Sequence, residues 1–421
     1  MKCCTMLFAV ILLSTTMALA GDWPAWRGPT GDGVSTETGL PVEWSREKNV
    51  RWRVPLPDRG NSTPIVLGDR VFITQAIEKE GWRGVMCFNR ADGKLLWKTG
   101  VTYTEKEPTH STNPYCSASP ATDGERVLAS YGSAGLYCYD LDGRELWHRD
   151  FGPQLHVWGN AASPVVVGDL CILNVGPGER TFLIAVDKKT GKTAWRHDEY
   201  GGEFGTSNKD WTGSWTTPIV IQAAGRDELV MSFPKRVCAF DPKTGKELWT
   251  CGGLGPLVYT SPLLSDGIIV AMSGFHGASL AVKAGGSGDV TETNRLWHNP
   301  PPNKQRIGSG VISDGHIYIL DDPGIAECIE LETGKVVWEK RLEGPTKSYT
   351  SWSSMVLSEG KLFAVNHAGD TFVVRASPEF ELLSTNSLGE RTLASHAVSN
   401  GDIFVRTYQS LWCIREGAGG K

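Results

Sequence analysis

Beyond residue 20 the 421-residue chain contains no apolar run long enough to cross a bilayer as a helix, which takes ~20 residues. It has no basic tail or stripe: 42 Lys and Arg stand against 47 Asp and Glu, a formal net charge of −5. That balance argues against nucleic acid as a partner. No CxxC pair and no His pair at metal-binding spacing occurs, so no metal site is expected. No GxSxG turn or paired-carboxylate motif stands out, which leaves little support for a hydrolase. The glycine clusters Gly176-Pro-Gly178 and Gly285-Gly-Ser-Gly288 lack the Lys-Ser/Thr and the strand-to-helix setting of a phosphate cradle, and read as loops. The Asp-Gly pairs lack the alternating ligand run of an EF-hand. No heptad pattern suggests association, so a monomer is expected.

What the chain has in quantity is tryptophan, 16 residues, and glycine, 49, a composition suited to a turn-rich β protein. Residues 1–20 read as a secretory signal, with Lys2 as the positive end, Met6 to Leu13 as the apolar core and Ala18 to Ala20 as the small-residue cut. No Cys sits at that cut, so a lipid-modified N-terminus is not indicated. The expected address is periplasmic or extracellular, without a transmembrane anchor. Eight cysteines then remain. Five of them (Cys87, Cys138, Cys238, Cys328 and Cys413) take one repeat position. Equivalent positions on neighbouring units are too far apart to bridge, so buried free thiols are expected there.

The repeat is clearest at Val237 to Trp249, where an apolar run ends at Asp241, reverses through Pro242 to Gly245 and returns to Trp249. Gly245 supplies the positive φ that such a reversal needs. Related hairpins end at Trp97, Trp147, Trp195, Trp297 and Trp338, and Trp52 ends an orphan strand. The seven tryptophans lie 41 to 54 residues apart. A large ring at one strand end of every unit is a packing device. Each full unit reads as four short strands, the innermost opening at Ser/Thr-Pro (Thr63, Ser119, Ser163, Thr217, Ser261) or at Ser309, Ser353-Ser354 or Ser395. Eight starts give eight units. The last lacks a fourth strand, and the orphan strand at Asn49 to Leu56 supplies it. The seventh unit carries no Trp at Phe380 to Leu383.

These hairpins resemble the AxDxxTGxxxW repeat of the PQQ-like (quinoprotein-like) β-propeller family, most closely at Asp187 to Trp195 and Asp241 to Trp249. The arm motif Trp23-Pro-Ala-Trp-Arg-Gly-Pro29 is similar to that of exported bacterial members. The resemblance implies an all-β fold: an eight-bladed propeller of four-stranded antiparallel blades, closed by the N-terminal strand. It also implies that Trp52, Trp97, Trp147, Trp195, Trp249, Trp297 and Trp338 dock adjacent blades. The expected organisation is a signal at 1–20, an arm at 21–49 packed on the body by Trp23, Trp26 and Trp44, the propeller at 50–416 and a flexible tail at 417–421.

The tight turns crowd one face; the longer loops and the unusual residues share the other. The candidates there are Arg59, Asn61, His110, Tyr115, His156, Trp158, Asn208, Asp210, Trp211, Trp215, Tyr259, His276, Arg306, Asp321, Tyr349, Trp352 and His367. Aromatics interleaved with His, Arg, Asn and Asp suit a polar organic ligand. Three classes compete. The favoured one is a binding or scaffold propeller for a peptide, glycan, partner protein or small polar ligand. The second, implied by the resemblance, is a dehydrogenase using pyrroloquinoline quinone (PQQ) with calcium, for which Asp210, Asp321 and Asp322 offer carboxylates, Trp211 or Trp215 a floor and Arg306 a quinone contact. The adjacent-cysteine lid of the alcohol dehydrogenases has no counterpart after residue 20, and no catalytic residue is assigned. The third is a hydrolase.

Overall fold

Short apolar runs punctuated by Gly-Asp and Asp-Gly turns fold into hairpins, and the hairpins assemble into eight four-stranded sheets. The computed structural model describes residues 21–199 and 212–419. Blades 1 to 7 span residues 65–102, 121–149, 165–199, 219–252, 263–299, 311–341 and 356–387. In each, consecutive strands pair antiparallel. Blade 8 holds Ala397–Ser399, Asp402–Arg406 and Ser410–Gly419, and its outer strand is Lys48–Pro55 from the opposite end of the chain. The all-β, eight-bladed propeller with its N-terminal strand closing the ring is therefore the observed fold. The last strand runs to Gly419, three residues past the propeller boundary expected from sequence. Among the described residues there is no α-helix.

Tryptophan and glycine of the repeat are partners across neighbouring blades. The indole N–H of Trp52, Trp97, Trp147, Trp195, Trp297 and Trp338 donates to a turn carbonyl of the next blade, at 2.8–3.1 Å. Under most of these rings sits the turn glycine of that next blade. A Cβ on Gly245 would lie 2.5 Å from the Trp195 ring, and the residue also holds φ +70°. Trp249 departs from the pattern because the next turn is the swollen one at Gly285 to Gly288. Its N–H instead meets Glu228 Oε2 at 2.7 Å, and the ring is fully buried.

Across each hairpin the residue facing the tryptophan is small: Cys87, Cys138, Ala185, Ala239, Ala281, Cys328 or Cys413. The sequence expectation placed Cys238 in that set. It faces Thr250, one residue off, and Ala239 faces Trp249. A β-bulge just before the tryptophan skips one residue in each of these hairpins, and Cys238 misses the facing position because it stands 11 residues before Trp249, where Cys87 and Cys328 stand 10 before theirs. All eight cysteines are free and buried.

The inner strands are tied by hydroxyls. The N–H of Thr63 donates to Ser119 Oγ, Ser119 to Ser163, Ser163 to Thr217, Thr217 to Ser261, Ser261 to Ser309, Ser309 to Ser354, Ser354 to Ser395, and Ser395 back to Thr63. All eight bonds fall between 2.8 and 3.2 Å, and the circuit closes. Proline follows the hydroxyl residue in blades 1 to 5. On an edge facing the channel, it removes an N–H that no strand would pair.

The arm lies across the tight-turn end of the axis. Trp23 exchanges both backbone hydrogen bonds with Val66 of blade 1, and Pro24 O accepts the N–H of Thr122 in blade 2. Three residues on, the buried Arg27 reaches Ser309 O (3.3 Å) and Gly310 O (2.6 Å) of blade 6, on the opposite side of the ring. Gly31 and Asp32 carbonyls complete its surroundings, and burial lowers its pKa to about 10 against the partial support of Asp32. The arm then adds Val34–Ser35 to the inner edge of blade 7 and seats Trp44 against Phe363 and His396.

Two results are expected. Trp249→Ala should cost about 3–5 kcal/mol in denaturant unfolding, since it opens a core cavity and strips a donor from the buried Glu228. Gly245→Ala and Gly225→Ala share nearly the same φ, +70° and +74°, but only the first would strike a neighbouring ring; Gly225 has nothing within 4 Å. Both should lose about 1–2 kcal/mol to backbone strain, and Gly245→Ala measurably more. Equal losses would disprove the docking role of the glycine.

Candidate functional site

Above the hydroxyl ring the between-blade connections enclose a cup of about 360 Å³ on the propeller axis. Thr63, Ser119, Ser163, Thr217, Ser309, Ser354 and Ser395 of the ring line its lower part, and Trp26 of the arm meets it from beneath. Packing was expected for all three arm tryptophans. It holds for Trp23 and Trp44, which are 1% and 4% exposed, whereas Trp26 is half-buried and faces the cup.

One wall is polar. Asn61 precedes blade 1, and His110, Thr112, Asn113 and Ser117 come from the connection into blade 2. Asn61 Nδ2 donates to Thr112 O (2.8 Å), His110 Nδ1 pairs with Thr112 Oγ1 (2.6 Å), and Asn113 Nδ2 donates to Trp158 O (2.6 Å). The other wall is aromatic. Trp215 and Tyr259 stack at 4.7 Å and 13°, Trp158 tilts against both, and Phe275 extends the cluster. Trp215 is fixed by its N–H on Gly159 O (2.7 Å). Across the cup stands Trp352, whose N–H meets Asp322 Oδ2 at 3.2 Å.

Six sequence candidates thus line the cup: Asn61, His110, Trp158, Trp215, Tyr259 and Trp352. Others support it from behind. His156 sets its ring edge-on to Trp215 at 5.0 Å, and His367 does the same to Trp352 at 5.6 Å. The charged candidates are engaged elsewhere, because a charge inside a blade must be paired. Arg306 is held on Glu327 by two bonds of 2.9 and 3.2 Å. Asp321 accepts the N–H of Ile325 at 2.7 Å inside its own turn, and burial raises its pKa to about 6. Arg59 pairs with Glu78, Tyr349 lies under Arg341, Tyr115 covers Arg83, and His276 contacts Asn303 O. None of these lines the cup. Asn208, Asp210 and Trp211 lie outside the described residues. The ring hydroxyls and Trp26 were legible only as strand starts and arm packing; a hydroxyl at the start of every inner strand was their signal.

PQQ is a tricarboxylate, and its calcium takes several oxygen ligands. No described residue lining the cup carries a carboxylate, an ammonium or a guanidinium. No group of three or more His, Cys, Asp or Glu among the described residues could hold a metal ion. The described lining therefore does not fit PQQ with calcium.

Burial lowers the pKa of His156 to about 4, of His367 to about 3 and of His396 to about 4. All three are neutral in the folded protein at pH 5, while the unfolded chain protonates them below about 6.5. Stability contributed by keeping them neutral is complete above pH 6.5 and falls as pH drops toward 4. Asp321 acts oppositely, favouring the fold below about pH 6, and offsets only part. The melting temperature should fall between pH 7.5 and 5, and less steeply in His396→Gln. A flat profile in the wild type would contradict the neutral-histidine account.

Comparison with known proteins agrees with this architecture. A family profile described as outer membrane protein assembly factor BamB matches residues 33–174, 83–340 and 180–420. BamB of Shewanella oneidensis is 21% identical over 290 residues, 68% of this chain and 65% of that protein. The quinohemoprotein alcohol dehydrogenase ADH IIB of Pseudomonas putida is 22% identical over 366 residues, 79% of this chain and 50% of that protein. The chain thus spans less than two thirds of the length of either relative. Among solved structures, BamB of Moraxella catarrhalis superposes with a TM-score of 0.62 over 87% of this chain and 96% of its own, at 13% identity. The quinohemoprotein alcohol dehydrogenase of Comamonas testosteroni does so with 0.70 over 95% and 81%, also at 13%. At that identity the likeness is one of fold. With its profile matched along nearly the whole propeller, the chain belongs to the PQQ-like β-propeller family described as outer membrane protein assembly factor BamB.

Proposed function

We propose that the protein is an exported binding module that holds a ligand or partner at the long-loop face and does not transform it. The observation that carries this reading is the cup: walls of aromatic rings, amides and hydroxyls on a rigid ring, with no carboxylate or cation among its described lining. Its contacts would be Asn61, His110, Trp158, Trp215, Tyr259 and Trp352. Relatives named as outer membrane assembly factors support a non-catalytic role in the cell envelope. Residues 1–20 would direct export, and the propeller would act as a monomer.

The match to a quinohemoprotein alcohol dehydrogenase makes oxidation of an alcohol or sugar the second reading. One titration separates the two. Purified protein is titrated with PQQ, with and without Ca²⁺, following tryptophan fluorescence; Trp158, Trp215 and Trp352 in the cup make it a direct reporter. Dye reduction is then assayed with alcohols and sugars. The expected result is no calcium-dependent saturation at micromolar PQQ and no turnover. Saturable quenching with turnover would replace the binding reading by the dehydrogenase.

A further inference from the structure

We propose that the cup binds the neutral end of a saccharide chain and that Trp26 of the arm is part of the binding site. This rests on the binding-module reading and specifies its ligand.

Shape comes first. Pro24 is bonded to blade 2 and Arg27 to blade 6, which face each other across an eight-membered ring. The segment between them crosses the axis, and its Trp26 lines the cup. A ligand therefore enters from the mouth, and a polymer can insert only its end. The volume of about 360 Å³ is at the low end of small-molecule sites, which run ~300–1,000 Å³.

Charge comes second. The described lining carries no carboxylate, ammonium or guanidinium, and the two histidines behind the aromatic walls are held neutral by burial. An ionic ligand would lose its hydration here without a carboxylate, ammonium or guanidinium of the described lining to offset it.

The third constraint is the mixture of surfaces. Trp158, leading into blade 3, and Trp352, leading into blade 7, come from opposite sides of the ring and both border the cup. They offer apolar flanks to a flat ligand. Below them, each ring hydroxyl accepts one backbone N–H and donates to no acceptor among the described residues. A hydrocarbon would leave these O–H groups without partners. A pyranose meets both demands, with C–H faces for the indoles and hydroxyls for the ring and for Asn61.

The test is isothermal titration of the full chain with a panel of neutral di- and tetrasaccharides of differing linkage, beside the matching uronic acids. At least one neutral sugar should bind. Its uronic acid should bind about tenfold more weakly, a loss of ~1.4 kcal/mol. A tetrasaccharide should gain little over its disaccharide, because only the end enters. Trp352→Ala and Trp26→Ala should each lower affinity about tenfold or more, and Trp352→Phe should restore part. Melting curves would confirm that the variants fold; if Trp26→Ala does not, Trp26→Leu replaces it. Absence of neutral-sugar binding, equal binding of the acids, or binding indifferent to Trp26 and Trp352 would overturn the proposal. With the PQQ titration also negative, the first of these would leave the binding module intact with another ligand, such as a peptide. Calcium-dependent PQQ binding would remove the module reading itself.

Discussion

A closed circuit of hydroxyls around the axis is the constraint on which the rest depends. Each inner strand gives one backbone N–H to a Ser or Thr oxygen of the next, through all eight blades and back to Thr63. A single such bond is worth only about 1 kcal/mol net. Their effect is geometric: they set eight strand starts at one height and spacing. The same oxygens form the lower part of the cup, so the device that fixes the ring also determines what the mouth presents.

Farther from the axis a second contact repeats with the same logic. A tryptophan at the outer hairpin lies on the turn glycine of the next blade and bonds the carbonyl beside it. The small residue across the hairpin, Ala or Cys, makes room for the ring. The motif residues are thus halves of an interface rather than features of one hairpin. Where the turn is swollen, after blade 4, a buried glutamate takes over the indole N–H. The seam that chain closure creates is reinforced differently. Asp402 of blade 8, fully buried, collects Arg90 of blade 1 and Arg51 and Arg415 of its own sheet. Arg406 crosses the same seam to Thr74 O and Gln75 Oε1. Paired in this way, these charges stay inside and between blades, and the described lining of the cup has no carboxylate, ammonium or guanidinium.

The arm joins structure to site. Its residues have no period of their own, yet they bridge blades 1, 2, 6 and 7 across the axis. Pinning an irregular segment in this manner needs its polar groups paired. Arg27 answers that need with four backbone carbonyls. The consequence is that Trp26 of the arm becomes part of the lining of the cup.

Fold and site differ in how much of each the amino-acid order determined. The blade count, the strand starts, the docking tryptophans and the closing strand at residues 48–55 were all written locally, because each depends on a spacing of a few residues repeated many times. Repetition makes a weak local signal strong. The fate of the charged candidates was not local. Arg306, Asp321 and Tyr349 sit in loops that lead to the mouth, and only the packed structure shows them turned toward Glu327, Ile325 and Arg341. The one-residue offset of Cys238, by contrast, was written in the chain: it stands 11 residues before Trp249, where Cys87 and Cys328 stand 10 before theirs, and the β-bulge is common to all these hairpins. Trp26 looked like its neighbours Trp23 and Trp44, and was separated from them by the path of the arm over the axis. A repeat specifies which element comes next. Which side chain faces the axis is decided by long-range contacts between blades, and no spacing along the chain encodes those.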